Sequence, residues 1–570
     1  MSRATRTPST DDAAAAETVA EPPEERTASL RRWGYSLPGL VGALVFVCLS
    51  LSPSLLPRTG LIQGLVCGIT GAIGYGIGVL AAWMWRAFAD REARPARRRS
   101  WQIFAVAAAA CLVAAMALGH YWQGRIRALL EMPPDGLASL VVTPVVAALV
   151  IVILIALGRT LRRVYRWTAR SLERWIGPRA ARATGWTAVV AGTALLISGV
   201  LLDGLVTAAD AAFSVRNGTT EAGVTQPTAR ERSGSPESQV SWTSLGQQGR
   251  SFTGTGPSAE QIAAFRGGVA PTPVRAYAGL ESAPTAEDRA RVAVDDLVRA
   301  GGFDRRTLVV VTTTGSGWVD PGAVDSVEYI TGGDTATVSI QYSYLPSWLS
   351  YLVDQERARE AGRELFDAVY DRWSKLPVDR RPTLVVVGES LGSFGGETAF
   401  SGEYDLRNRT AGAVFAGPPN FNTLYREFVD GRDAGTPEVT PVYRGGRTVR
   451  FSTDPQSGVP PADIPADGPR VLYVQHPSDP IVWWSPRLIL HRPDWLAEPP
   501  GGDVVASMRW IPFVTFWQVT ADLPFAVEVP PGHGHVYTHE YVDAWAWVLR
   551  PAGWTEDDAA ALRAIISPPG

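Results

Sequence analysis

The sequence predicts a multi-pass α-helical membrane region of about five spans, followed by an α/β domain with a mostly parallel sheet. Three observations lead there. Five long apolar stretches precede residue 209, β-branched runs alternate with periodic segments after residue 249, and Gly388-Glu389-Ser390-Leu391-Gly392 follows the strand-like run Thr383–Val387. At 570 residues the chain exceeds one ordinary globular core.

Residues 1–35 are rich in Ala, Thr, Pro and Glu with almost nothing to bury, and they read as a disordered cytoplasmic tail. Residues 36–208 hold the apolar stretches Leu37–Leu56, Leu61–Trp85, Ile103–Trp122, Leu137–Leu157 and Trp186–Ala208. Each is long enough to cross a hydrocarbon layer of about 30 Å as a helix, although Pro53 and Pro57 interrupt the first near its end. Segment 86–100 carries six arginines and segment 159–185 carries eight, while the alternate loops are nearly neutral. Basic loops stay on the cytoplasmic side of a cell membrane, so five spans starting inside place the rest of the chain on its outer face.

Residues 209–248 are polar and read as a linker or irregular lead-in; the catalytic domain is expected over 249–560. Its strands are expected at Val274–Ala276, Leu308–Thr313, Thr335–Gln341, Thr383–Val387, Gly412–Ala416, Val471–Gln475 and Phe525–Val529, with Ser251–Phe252 as a further edge. Helices are expected over Ala286–Ala300, Asp354–Trp373 and Tyr541–Leu549.

All three cysteines, Cys48, Cys67 and Cys111, lie in the apolar stretches. The C-terminal domain therefore has no disulfide framework, thiol nucleophile or cysteine-ligated metal. A net charge of −3 gives no case for a nucleic-acid partner, and the arginine clusters are explained by topology. No motif calls for a cofactor.

Gly-x-Ser-x-Gly at a strand end places Ser390 on a turn so tight that glycine is needed on either side, leaving the hydroxyl exposed above a sheet. Such a serine needs a base, and the base needs an acid. The strand Val471–Gln475 runs into His476-Pro477-Ser478-Asp479-Pro480, which puts Asp479 where the acid belongs; Asp454 is the rival, without an equally convincing strand before it. Gly532-His533-Gly534-His535 precedes the closing helix and supplies the base. His535 is favoured as the last before the helix, with His533 the alternative. Read as metal ligands, the two histidines would need a third partner such as His476 or Asp479, and the serine would be idle. The oxyanion donors expected are the Leu391 N–H and an N–H of the loop carrying Gly315, Ser316 and Gly317. Aromatic residues around these segments (Tyr342, Tyr344, Trp348, Tyr351, Trp483, Trp484, Trp510, Phe513, Phe516 and Trp517) favour an apolar acyl pocket.

The segments Thr312–Pro321, Gly388–Ser393, Gly417-Pro418-Pro419-Asn420, Gln475–Pro480 and Gly532–His535 resemble the α/β-hydrolase superfamily. More narrowly, the chain resembles an actinobacterial membrane α/β-hydrolase family that joins several N-terminal spans to a C-terminal hydrolase domain. The resemblance implies an α/β-hydrolase fold and serine-dependent ester cleavage, and it implies no particular substrate. The leading expectation is a membrane-tethered serine esterase acting on acyl esters of membrane or envelope lipids. An acyltransferase with the same triad, and a catalytically silent scaffold binding an envelope partner, are the alternatives.

Overall fold

The computed structural model describes residues 34–92, 96–196, 199, 203–459 and 468–567. The expected tail, residues 1–35, lies almost wholly outside them. Six helices come first: α1 (Leu37–Ser50), α2 (Gly60–Phe88), α3 (Arg98–Leu129), α4 (Ser139–Ile176), α5 (Pro178–Leu195) and α6 (Asp203–Asn217). Among the described residues three of them, α2, α3 and α4, are long and apolar enough to cross a membrane, which corrects the expectation of about five. The first expected span is cut short at Ser50, so α1 has 14 residues and a length of about 21 Å. Pro53 and Pro57 cannot continue a helix, and residues 51–59 form a loop instead. The fifth expected span is divided between α5 and α6, with residues 197, 198 and 200–202 outside the described set.

Glycine on α2 brings these helices close. A Cβ at Gly42 of α1 would lie 2.2 Å from the Gly74 carbonyl oxygen of α2, and a Cβ at Gly64 would strike Val146 of α4. Small residues let helix backbones approach where apolar surroundings give little hydrophobic drive to associate. The outer faces remain apolar and open: Ile103, Val106 and Val113 of α3 and Val141 of α4 are all exposed.

The C-terminal domain is built on seven strands, β1 (Val274–Ala278), β2 (Thr307–Thr312), β3 (Thr335–Ile340), β4 (Thr383–Glu389), β5 (Gly412–Ala416), β6 (Val449–Ser452) and β7 (Arg470–Val474). They pair in the order β1-β3-β2-β4-β5-β7-β6, and every pairing is parallel. A parallel sheet needs cover on both faces, and the period-2 alternation of side chains supplies two cores. Leu308, Val310, Leu384 and Val386 enter one, which also holds Ala290 and Leu297 of helix Ala286–Arg299 and Leu365 of helix Gln355–Ser374. Val309, Val311, Val385 and Val387 enter the other, with Val327, Tyr541 and Trp545.

The first core crosses the boundary between the halves. Leu55, Leu56, Ile126 and Leu130, all from the helical region, belong to it. Arg58, in the loop after α1, is buried and pairs with Asp522, 464 positions away, through Nε at 2.7 Å.

Two strand expectations need correction, and one strand was not expected. Phe525–Val529 is no strand: Leu523–Phe525 is a short 3-10 turn, and the Ala526 carbonyl accepts from the His535 N–H at 2.7 Å. Pro524 before the segment and Pro530 and Pro531 after it cannot donate to a ladder, so no strand extends past either end. Ser251–Phe252 lies inside the helix Gly246–Gly254. The edge strand β6 was not anticipated, because four residues including Arg450 make a weak signal. Residues 218–245 are irregular yet packed: Arg232 bridges to Arg275 at the outer side of β1, covering that edge, and the Ser238 hydroxyl and Gln239 N–H donate to buried Asp296.

Candidate active site

In this sheet the chain leaves β2 toward β3 and leaves β4 toward β5, on opposite sides. Parallel α/β sheets bind ligands at the carboxyl ends of strands where the order reverses in this way. Ser390 sits at that point. It is the residue between β4 and the helix Leu391–Glu397, and its backbone is left-handed at φ 54°, ψ −125°. Such a conformation in a non-glycine residue costs about 1–3 kcal/mol, so the surrounding structure must enforce it. Its N–H donates to Ala416 O at 2.9 Å, fastening the turn to the end of β5. The flanking glycines are needed for space: a Cβ at Gly388 would lie 2.3 Å from Gly392 O, and one at Gly392 would lie 2.3 Å from Thr312 O.

Asp479 follows β7, two strands along. It is fully buried and caps the helix Pro480–Trp483 by accepting from the Ile481 N–H at 2.8 Å. Its other oxygen meets His535 Nδ1 at 2.6 Å and accepts from the Tyr537 hydroxyl at 2.7 Å. The ring of His535 lies against Gly417, just past β5: a Cβ there would stand 2.4 Å from His535 Cε1. His535 Nε2 is buried without a hydrogen-bond partner among the described residues, and the Ser390 hydroxyl makes no hydrogen bond among them. The elbow, the acid and this histidine are thus gathered at one corner of the sheet.

His533 goes elsewhere. Its Nδ1 is 3.3 Å from Asp503, a carboxylate that also accepts from the Ser478 hydroxyl. Ser478 in turn accepts from the Gly534 N–H at 2.8 Å. This places His533 in a network that braces the loop. The two histidines face different carboxylates, and no group of three His, Cys, Asp or Glu side chains among the described residues is placed to hold a metal ion. Asp454 does follow a strand, but it is exposed and accepts from the Gln456 N–H and the Ser457 hydroxyl of its own turn.

His476, which the sequence offered only as a possible third metal ligand, is a buttress. It is fully buried, stacks on Tyr537 at 4.2 Å and reaches Gly534 O at 2.9 Å and Glu540 at 3.0 Å. Burial alone would push its pKa down, but the Glu540 carboxylate and these hydrogen bonds lift it to about 9. The imidazolium therefore holds the Gly534 carbonyl, one residue from His535. Tyr537 was missed although it stands two residues after His535; nothing in the sequence shows that its hydroxyl reaches Asp479.

The expected oxyanion donors differ in availability. Leu391 opens a helix, so its N–H has no intrahelical acceptor. In the β2 loop the Gly315 N–H donates to the Tyr342 hydroxyl at 2.8 Å and the Gly317 N–H to Thr314 O at 3.2 Å. Of the three loop amides named from sequence, Ser316 alone is uncommitted among the described residues. Beside the elbow, burial pushes the Glu389 carboxyl well above its usual range, reinforced by Asp320, and it accepts from the Tyr541 hydroxyl at 2.8 Å.

The aromatic residues divide. Tyr342, Tyr351 and Trp483 are core, and Trp348 is exposed. Trp510 and Phe513 precede the helix Val514–Asp522, on which Phe516 and Trp517 lie. A run of ring contacts links Phe394, four residues after Ser390, to Phe421, Tyr351, Trp484 and Phe516, with centroids 4.9–6.0 Å apart. It extends from the elbow helix to the helix that carries Asp522.

Comparison with known proteins agrees with this architecture. The model of an alpha/beta-hydrolase family matches residues 274–562, and that of the N-terminus of an alpha/beta-hydrolase family matches residues 51–257. No curated protein and no solved structure matches the chain. The first match runs from β1 into the last helix (Glu556–Ile566), including the elbow, Asp479 and His535, and the second takes in α2, α3 and α4 with most of the loop that bears Arg58. On the strength of that coverage, the chain belongs to the alpha/beta-hydrolase family.

Proposed function

We propose that the protein is a membrane-anchored serine hydrolase that cleaves carboxylic esters, with acyl esters of membrane or cell-envelope lipids as its substrates. Ser390 attacks the ester carbonyl while His535 Nε2 takes its proton, and Asp479 holds the imidazole in the required tautomer and stabilises its charged form. The Leu391 N–H and an amide of the β2 loop, with Ser316 the free one, donate to the oxyanion. His535 then protonates the leaving alkoxide, and water releases the acyl group by the reverse sequence.

The observation that carries this reading is the left-handed Ser390 at the switch point, combined with a buried Asp479–His535 pair whose outer nitrogen is unpartnered. Three apolar helices support a membrane location; the arginine-rich segment 86–100 lies at the end of α2 remote from Arg58, which pairs with Asp522 of the hydrolase domain, and this supports an outer-face hydrolase domain. The aromatic run supports an acyl rather than a charged occupant beside the elbow. Incubating membranes with the wild-type protein and with Ser390→Ala, then profiling lipids, tests the proposal. A lipid ester class should disappear, with its free acyl product appearing, only with wild type. Identical profiles would reject a lipid-ester substrate.

A further inference from the structure

A cavity of about 240 Å³ lies where the end of α6 meets the β2 loop, lined by Arg216, Gln248, Thr314, Ser316 and Ser347 among others. No carboxylate lines it. Arg216, in the last turn of α6, has no ion pair among the described residues, and the Gln248 amide makes no hydrogen bond there. Thr314 is nearly fully buried, and its hydroxyl has no partner among the described residues. An orphaned buried hydroxyl costs about 1–3 kcal/mol unless something supplies the missing bond. Behind the cavity, Arg250 donates to the carbonyls of Asn217 and Thr219 and is salt-bridged to no carboxylate among the described residues, which adds a second positive charge. The helix Gly246–Gly254 begins beside Asn217 and carries Gln248 in its first turn, so its N–H groups add positive potential.

The cavity is also close to the reaction centre. Thr314 lines both it and a smaller cavity that reaches Gly388 and Glu389, the two residues before Ser390. Ser316, the uncommitted amide of the loop, lines the larger one.

We propose that this cavity binds the anionic, phosphate-bearing head group of the ester substrate, on the leaving-group side of Ser390. The inference rests on the ester-hydrolase reading and adds the head-group chemistry. Arg216 supplies the counter-charge, and the Thr314 hydroxyl, the Ser316 hydroxyl and the Gln248 amide donate hydrogen bonds, leaving the Ser316 N–H to the oxyanion. A guanidinium without an ion pair among the described residues, in a cavity lined by neutral hydrogen-bonding groups, suits a phosphate diester.

Two arms keep this apart from the parent reading. Full-length Ser390→Ala protein, which cannot turn over, is titrated with sn-glycerol 3-phosphate and with phosphatidylglycerol in vesicles. Saturable binding of either that weakens at least tenfold in Arg216→Gln, and in Gln248→Leu to a smaller degree, supports the site whether or not any ester is cleaved. Binding of the vesicles alone identifies a lipid head group, and binding of both identifies phosphate recognition in general. In the second arm, kcat/KM is measured on phosphatidylglycerol and on neutral diacylglycerol in mixed micelles. Arg216→Gln should lower the anionic-to-neutral ratio at least tenfold, mainly through KM, with partial recovery in Arg216→Lys. Ester cleavage with an unchanged ratio, or no Arg216-dependent binding, would overturn the site while leaving the hydrolase reading intact.

Discussion

Two of the buried acid–base pairs among the described residues are finished differently. At the seam between the helical region and the hydrolase domain, Arg58 and Asp522 are saturated. Arg58 Nε and Nη2 both donate to Asp522, Nη1 donates to Gln63, and Ser54 donates to the same carboxylate. Next to them Gln518 donates to Ser52 O at 2.9 Å. At the carboxyl edge of the sheet, Asp479 is equally buried and equally paired, but His535 keeps one ring nitrogen open beside a strained serine. A structural pair has its charged groups bonded on several sides, because an unpaired buried charge is costly. A site that moves protons must leave one free. The comparison distinguishes a clamp from a candidate reaction centre.

The largest expected effect is at the open pair. His535→Ala should lower kcat/KM on a soluble ester by three or more decades, since it removes the one imidazole bonded to Asp479 among the described residues. His533→Ala should retain substantial activity, because its partner is Asp503. The reverse ranking would transfer the base to His533.

Next comes the saturated pair. Arg58→Ala or Asp522→Asn should destabilise the protein by about 3–5 kcal/mol, read as thermal unfolding in detergent, because each leaves its partner buried and uncompensated. The double substitution Arg58→Met with Asp522→Leu should recover much of that loss. Single variants with unchanged unfolding would show that the seam carries no stability and that the two halves are independent.

The third effect is smaller and pH-dependent. His476 has a pKa of about 9 in the folded protein against an ordinary 6.5. Its folded value is raised, so its contribution, about 3 kcal/mol at most, is complete below pH 6.5 and is lost as pH rises through 9. Stability measured from pH 6 to 10 should fall over that window, and His476→Gln should flatten the fall. An unchanged slope in the variant would assign the pH dependence to other groups.

Much of the candidate site's geometry was legible because its signals are local. Gly388-Glu389-Ser390-Leu391-Gly392 sets its own turn, and Asp479 and His535 each stand in short motifs next to a strand or a helix. What was hidden depends on contacts between distant segments. The bond from Arg58 to Asp522 spans 464 residues, and neither neighbourhood marks it. The roles of His476 and Tyr537 rest on a stacking contact across 61 positions. The commitment of the Gly315 and Gly317 amides is decided by Tyr342 and by the loop's own turn. Counting apolar residues overestimated the long helices, because Pro53 and Pro57 end the first helical run and turn its remainder into the loop that clamps the hydrolase domain. Phe525–Val529 misled for a related reason: β-branched and aromatic residues look like a strand, but prolines on both sides leave it as a turn that holds His535.

The central claim is that Ser390 is a nucleophile activated by His535. Purified full-length protein should be treated with a fluorophosphonate probe and mapped by peptide mass spectrometry. One adduct, on Ser390, is predicted; it should vanish in Ser390→Ala and His535→Ala and persist in His533→Ala. A folded protein that stays unlabelled, or an adduct on another serine, would contradict the account.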